Sequence, residues 1–268
     1  MPTTGRALSQ KLAREGGPAR YRARVEYDGT DFAGFQVQPG SRTVQGELEA
    51  ALGRVSGNAR MRVEAAGRTD AGVHATGQVI AFTYAGRLSA AELARALDAL
   101  LPSDVALHGL RQVDEAFRPR YAARYRAYRY TIWNGPRSPL HERYALGVRV
   151  PLDSRAMASA AQVLVGRHDF SAFGGGARQP VRTLHRVGVR REGSMITIDV
   201  TGDAFTRQMV RSIVAALLRV GRGEATAAEL AAALRGPERA FSGALAPPHG
   251  LCLRRVVMGR TTRTDTES

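Results

Sequence analysis

The order of hydrophobic patterns along the chain is the feature that most restricts its fold. Alternating polar and apolar residues predict strands, and an apolar residue at every third or fourth position predicts a helix. In the first half the patterns predict strand, helix, strand, strand, helix, strand, at 20–27, 43–55, 61–66, 77–84, 89–101 and 105–113. Thr43 and Ser89 stand where the caps of the two helices belong. This βαββαβ order is typical of a ferredoxin-like unit.

The second half repeats this order without evident repetition of sequence. Its patterns predict a strand at 126–133, a helix from Asp153 to Gly166, a hairpin of 181–191 and 195–201, helices at 205–221 and from Thr226 to Gly236, and a strand at 251–257. We therefore expect an α+β protein of two fused ferredoxin-like halves, 20–115 and 116–258, whose sheets meet around a basic cleft. Residues 1–19 are expected to form a mobile basic tail, and residues 259–268 a polar tail.

The charge of the chain indicates a polyanionic partner. The chain has 39 lysines and arginines against 24 acidic residues, a net charge of +15, and Lys11 is the only lysine. Such an excess raises the local concentration of polyanions and points first to nucleic acid. Arginine adds planar, bidentate recognition of phosphate and can stack on bases. Because sheet faces with exposed aromatics and arginines commonly bind RNA, RNA is the expected partner.

The remaining composition indicates a cytoplasmic protein. Cys252 is the only cysteine, so no intrachain disulfide is possible, and this fits a reducing compartment. No stretch reaches the ~18 apolar residues of a membrane span. The N-terminal residues are basic but lack the apolar segment of a secretory signal, so we expect no membrane association and no export.

The sequence GRTDAGVH at 67–74 is the strongest candidate for a functional loop. Arg68 and Asp70 are two positions apart, so in extended backbone their side chains share a face. Gly67 and Gly72 permit backbone angles and close approaches that other residues would block. Apolar stretches flank the segment, which predicts a loop on a hairpin that presents a charged carboxylate. The alternative is an ordinary turn, because Asp beside Gly is common turn chemistry.

Seven segments in the same order resemble the tRNA pseudouridine synthase A family. They are YDGTDFAGFQVQ (27–38), TVQGELEAAL (43–52), GRTDAGVHATGQV (67–79), YRYTIWN (128–134), HDFSAF (168–173), AFTRQMVRSIVAALLRVGRG (204–223) and APPHGLCLRRV (246–256). The resemblance runs from about Tyr21 to Val257. It implies an isomerase without cofactor or metal that converts uridine to pseudouridine at positions 38, 39 and 40 in the anticodon stem-loop of tRNA. It also implies a homodimer whose subunits contain a continuous, mostly antiparallel sheet, with helices on one side and an RNA-binding cleft.

The resemblance assigns roles to three charged residues. Asp70 matches the catalytic aspartate of the family, a nucleophile that attacks C6 of the base or acts at C1′. Arg211 matches a basic residue in the segment FTRQMVR and is the candidate ion-pair support for the carboxylate. Arg68 is expected to contact the RNA while the nucleotide is flipped out. The alternative is that Arg68, and not Arg211, is the main partner of Asp70.

The resemblance also assigns Tyr128, in the segment YRY, to the active site, where its ring can stack on the base. The alternative is a core tyrosine, because Tyr128, Tyr130 and Ile132 share one face of a predicted strand. His74 is expected to be an ordinary polar surface residue. For the whole chain the competing function is a non-catalytic RNA-binding or ribosome-associated protein, which would need no charged carboxylate in its binding site.

Overall fold

The computed structural model describes residues 17–58, 61–174, 179–235, 241 and 245–259. Nearly all of the two predicted tails, and the predicted helix end at Gly236, lie outside these residues. The described residues form two compact units. The first contains 17–71, 75–124 and 256–259, and the second contains 72–74 and 125–255. No helix in the described part of the chain has the length and apolar character needed to cross a bilayer.

The first unit follows the predicted order of elements. They are β1 (Pro18–Tyr27), α1 (Val44–Ser56), β2 (Glu64–Ala65), β3 (His74–Ala85), α2 (Ala90–Asp98), β4 (Val105–Val113) and a short α3 (Pro119–Ala122). The strands pair antiparallel in the order β4-β1-β3, and β2 pairs with β3. The ferredoxin-like arrangement of each half stays a prediction.

Local sequence explains these elements. In β1 the alternation places Tyr21, Val25 and Tyr27 in the core. Helix α1 begins where the Thr43 side chain accepts a hydrogen bond from a backbone N–H of the first turn, and it ends at Gly57, whose φ is +67°. A complete capping box of Ser89 and Glu92 begins α2.

The second unit packs helices against one face of a sheet. Its elements are β5 (Ala123–Trp133), α4 (Pro139–Glu142), β6 (Leu146–Gly147), α5 (Ser154–Gln162), β7 (Gly166–Asp169), β8 (Val181–Glu192), β9 (Met195–Gly202), α6 (Met209–Gly221), α7 (Ala227–Ala233) and β10 (Leu251–Met258). The strand order is β10-β5-β9-β8-β7, and the pairs β5–β9, β9–β8 and β8–β7 are antiparallel. The alternating residues Ile196, Ile198 and Val200 lie in one core with α5, α6 and α7. The predicted α+β class and mostly antiparallel sheet are confirmed.

Several predicted boundaries are wrong for identifiable reasons. Strand β1 begins at Pro18, so the end of the predicted N-terminal tail belongs to the sheet. Strand β3 begins at His74, inside the predicted loop, because Ala75 already pairs with Tyr27 of β1. Helix α6 begins at Met209 instead of 205 because Gln208 has a φ of +62°, which an α-helix does not tolerate. The short elements α3, α4, β6 and β7 carry too few residues to show a period.

Candidate active site

The GRTDAGVH sequence forms the connection of a hairpin, as predicted. Strands β2 and β3 pair antiparallel, with Ala65 opposite Ile80, and residues 66–73 connect them. We refer to residues 66–73 as the Asp70 loop. Its first part, up to Ala71, belongs to the first unit, and Gly72–His74 belong to the second. The backbone of the loop is therefore held by contacts in both units, which are described in turn.

Buried side chains fix the loop backbone on the N-terminal side of Asp70. The fully buried Gln78 donates from Nε2 to the carbonyl of Gly67 at 3.0 Å. The Thr69 hydroxyl, also buried, shares a hydrogen bond of 2.8 Å with the hydroxyl of Tyr27 on β1. Because unsatisfied buried polar groups cost free energy, each bond disfavours movement of the loop. Both supports were missed in the sequence, where Tyr27 and Gln78 resemble ordinary strand residues.

Gly34 lets another loop approach the Asp70 backbone. The N–H of Phe35 donates to the carbonyl of Thr69 at 3.1 Å. Gly34 itself has a φ of +107°, and a Cβ there would lie 3.0 Å from the Thr69 oxygen and 3.2 Å from the nitrogen of Ala71. A Cβ there would be strained by the positive φ and would require one of the two loops to shift by a few tenths of an ångström. The sequence marked this approach only by the segment FAGF (32–35), in which Gly34 lies between two phenylalanines.

The long loop 28–42 is held at both ends by one residue of the first unit, Asp104. The N–H of Asp28 donates to the carbonyl of Asp104 at 3.0 Å. The Arg42 guanidinium forms a bidentate ion pair with the Asp104 carboxylate, at 2.7 and 2.9 Å. These contacts hold both ends of the loop that brings Gly34 and Phe35 to the Asp70 loop.

The side chains of the loop alternate in exposure. Thr69 is buried, whereas Arg68 is exposed and Asp70 is half-buried. The predicted common face of Arg68 and Asp70 is thus the face opposite Thr69. Within the described residues the Arg68 guanidinium has no hydrogen-bond or ion-pair partner, Asp70 included. The Asp70 carboxylate is carried on a fixed backbone and is reachable in part from solvent.

Tyr128 lies on β5 in the second unit, opposite Val200 of β9. Its ring packs edge-on against Phe205, with 5.1 Å between ring centroids and an interplanar angle of 83°. Tyr130 and Ile132 on the same face are fully buried, whereas Tyr128 is half-buried. The three residues share one face of the strand, as expected, and of the three only Tyr128 has a partly solvent-exposed side chain.

Arg211 is the third residue of α6, and main-chain groups hold it. Its Nε donates to the carbonyl of Ala246 at 2.7 Å, and the N–H of Ala246 donates back to the carbonyl of Arg211 at 3.2 Å. The positive charge of Arg211 also interacts electrostatically with the hydroxyl group of Tyr130. Burial raises the pKa of Tyr130, and the positive charge of Arg211 offsets part of that rise.

The residues that follow Asp70 are anchored in the second unit. Val73 belongs to the hydrophobic core of that unit. His74 is 7% exposed, its Nε2 lies 3.1 Å from the carbonyl oxygen of His249, and its ring packs edge-on against Tyr144 at 5.2 Å. A carbonyl oxygen can only accept, so Nε2 of His74 carries the proton. The expectation that His74 is a surface residue is therefore wrong, because strand pairing carries the chain inward at this position.

The matching family model and two similar relatives are all described as tRNA pseudouridine synthases. Residues 23–122 and 160–257 match a family model described as tRNA pseudouridine synthase. The tRNA pseudouridine synthase A of Shouchella clausii is 42% identical over 246 residues, which is 90% of this chain and 94% of the relative. That of Pelobacter propionicus is 43% identical over 236 residues, which is 87% of this chain and 96% of the relative.

Among the described residues no three or more His, Cys, Asp or Glu side chains are grouped as metal ligands would be.

Proposed function

The chain belongs to the tRNA pseudouridine synthase A family, and from this premise we propose that it isomerises uridine to pseudouridine at positions 38, 39 and 40 in the anticodon stem-loop of tRNA. The observation that carries the proposal is the match of the family model to both halves of the chain, 23–122 and 160–257, with GRTDAGVH inside the first. The excess of positive charge supports a polyanionic substrate.

The reaction needs few chemical groups. The bond from N1 of uracil to C1′ breaks, the base turns, and a bond from C5 to C1′ forms while C5 loses a proton and N1 gains one. Atoms and electrons balance without an oxidant, a reductant or a second substrate. What the protein must supply is a nucleophile, a fixed geometry and a place for the detached base.

Asp70 is the proposed nucleophile, acting at C6 of the base or at C1′. Its support is the geometry of the loop, because Gly67 and Thr69 are held by buried side chains and Gly34 lies against the backbone. A carboxylate that is half-buried on such a backbone is placed before the substrate arrives, so little ordering is needed during the reaction.

Three further residues complete the proposal. Arg211 provides the cation that supports the charged nucleophile, and its hydrogen bond to Ala246 limits the motion of the guanidinium. Arg68, exposed and unpartnered among the described residues, acts on the RNA backbone or on the space left by the flipped nucleotide. Tyr128 stacks on the base, a contact of roughly 1–3 kcal/mol. The absence of an ion pair between Arg68 and Asp70 in the described residues favours Arg211 over Arg68 as the support.

Replacement of Asp70 by Asn separates an enzyme from a passive RNA binder. Asp70→Asn keeps the shape of the side chain but removes the nucleophilic charge, so we expect tRNA affinity within about twofold of wild type and no release of tritium from tRNA labelled at C5 of uridine. Asp98→Asn, at an exposed position at the end of α2, is the control for the loss of one negative charge. Undiminished tritium release by Asp70→Asn would reject the assignment. Binding without release by the wild-type protein would favour the non-catalytic alternative.

The proposal includes the setting of the enzyme. We propose tRNA as the substrate partner and, as the resemblance to the family implies, a homodimer in the cytoplasm. A single cysteine, Cys252, fits that compartment. The dimer is tested by the mass in solution, which should be twice the 28.9 kDa of the chain.

A further inference from the structure

A short stretch near the end of the chain contacts several elements of the proposed site. It comprises Ala246, Pro247, Pro248 and His249, and we call it the 246–249 segment. Each of these residues makes a separate contact, and none of the contacts follows from proximity in sequence.

Two of the contacts involve α6 and β5. Ala246 is 2% exposed and exchanges two hydrogen bonds with Arg211, one to the side-chain Nε and one to the backbone carbonyl. The carbonyl of Pro247 accepts a hydrogen bond of 2.9 Å from the hydroxyl of the fully buried Tyr130. Two adjacent residues of the segment therefore have different partners: Ala246 holds the Arg211 guanidinium, and Pro247 is bonded to Tyr130 in the core of the second unit.

The other two contacts involve Gly72, near the end of the Asp70 loop, and His74, the first residue of β3. A Cβ on Gly72 would lie 2.8 Å from Cγ of Pro248, so the proline ring closes directly over the glycine. The carbonyl of His249 accepts the hydrogen bond from Nε2 of His74. The residues that follow Asp70 in the chain therefore pack and bond against Pro248 and His249, two and three positions after the Ala246 that holds Arg211.

The segment is stiff. Its two consecutive prolines each lock one backbone angle, and Pro247 adopts a φ of −53° and a ψ of +144°, close to polyproline geometry. A restricted backbone is important here because a carbonyl group that is free to rotate cannot keep its hydrogen-bond donor in one position.

We propose that the 246–249 segment is a positioning element for the isomerisation, and that His74 is the positioning residue that ties the end of the Asp70 loop to it. The proposal rests on the proposed functions of Asp70 and Arg211. His74 does not touch the reacting atoms. It acts by holding Gly72–His74 at a fixed place on a segment that also holds the guanidinium of Arg211.

The test compares two amides of different reach at position 74. In His74→Gln the amide nitrogen falls near the position of Nε2 and can donate to the carbonyl of His249, whereas in His74→Asn it is too short to do so. We expect His74→Asn to lower kcat about tenfold with tRNA affinity within about twofold, since a displacement of 1 Å costs on the order of 100-fold. His74→Gln should remain within about threefold of wild type.

His168 provides the matched control in the same unit. Its Nε2 lies 2.9 Å from the carbonyl of Val165, so His168→Asn removes the same kind of bond on β7. This variant should lose thermal stability but keep its kcat at a temperature where it is fully folded. Equal kcat for His74→Asn and His74→Gln, or an equal loss in His168→Asn, would overturn the proposal.

The two proposals fail separately. If Asp70→Asn releases tritium, the proposed nucleophile is wrong, whatever position 74 does. If Asp70→Asn is inactive while His74→Asn keeps the wild-type kcat, only the positioning proposal is wrong.

Discussion

Replacement of Gly34 by Ala tests whether the backbone of Asp70 must be where the structure places it. Gly34 has a φ of +107°, and an added methyl group would meet the carbonyl of Thr69 at 3.0 Å, the nitrogen of Ala71 at 3.2 Å and the carbonyl carbon of Asp70 at 3.3 Å. All three are backbone atoms, which cannot swing aside as the end of a flexible side chain can. Either loop 28–42 or the Asp70 loop must therefore move.

The magnitude follows from two costs. A non-glycine residue in left-handed backbone costs about 1–2 kcal/mol. Overpacking against fixed atoms costs about 1–3 kcal/mol more. If the Asp70 loop relieves the second cost by moving a few tenths of an ångström, the loss in kcat scales from the roughly 100-fold expected for 1 Å to about 3–10-fold.

Gly40→Ala is the matched control, in the same loop. Gly40 has a φ of +69°, but apart from its chain neighbours no atom of the described residues lies within 4 Å of its Cβ position, so only the backbone cost of about 1–2 kcal/mol applies. The assay is single-turnover tritium release at saturating tRNA, with thermal unfolding measured on the same samples. Gly34→Ala should unfold at a lower temperature than Gly40→Ala and react more slowly. A kcat equal to that of Gly40→Ala would show that the approach of Gly34 does not position Asp70.

Two further predictions concern solution conditions. Burial raises the pKa of Tyr130 above its ordinary value of 10.0, so the folded protein keeps this proton at a pH where the unfolded chain loses it. The contribution is complete below about pH 10 and is lost as the pH rises further, so the free energy of unfolding from urea titrations should fall in that range, less steeply in Tyr130→Phe. An unchanged slope in Tyr130→Phe would contradict this. The affinity for tRNA should fall linearly with the logarithm of salt concentration, because arginine–phosphate contacts release counterions, and a flat response in filter binding would count against an arginine-lined RNA surface.

Local rules predicted most elements because their causes are local. Strand β4 occupies 105–113 as predicted, and the capping boxes at Ser89 and Thr226 are both present. The start of α6 was not predictable from spacing. Phe205 extends the apolar spacing by one turn before Met209, but Thr206 is buried and Gln208 has a φ of +62°, which ends the helix there. The outcome there depends on residues distant in sequence.

The candidate site divides in the same way. The loop that carries Asp70 could be found because its glycines and charges lie within eight consecutive residues. Its supports could not, since Tyr27 is 42 positions from Thr69 and His74 is 175 positions from His249. Hydrogen-bonding residues such as Tyr27 and Gln78 occur in any strand, and nothing in their own neighbourhood marks them as partners of this loop.

The 246–249 segment offers mostly main-chain oxygen atoms to its neighbours, at Ala246, Pro247 and His249. Every amino acid carries that oxygen, so evolution can exchange side chains there without removing a single acceptor. An alanine scan would leave these acceptors in place and would report only on the two prolines and on the side chain of His249. What natural selection has to preserve is the path of the chain, and changes in length or in its paired prolines are the mutations that would disturb it.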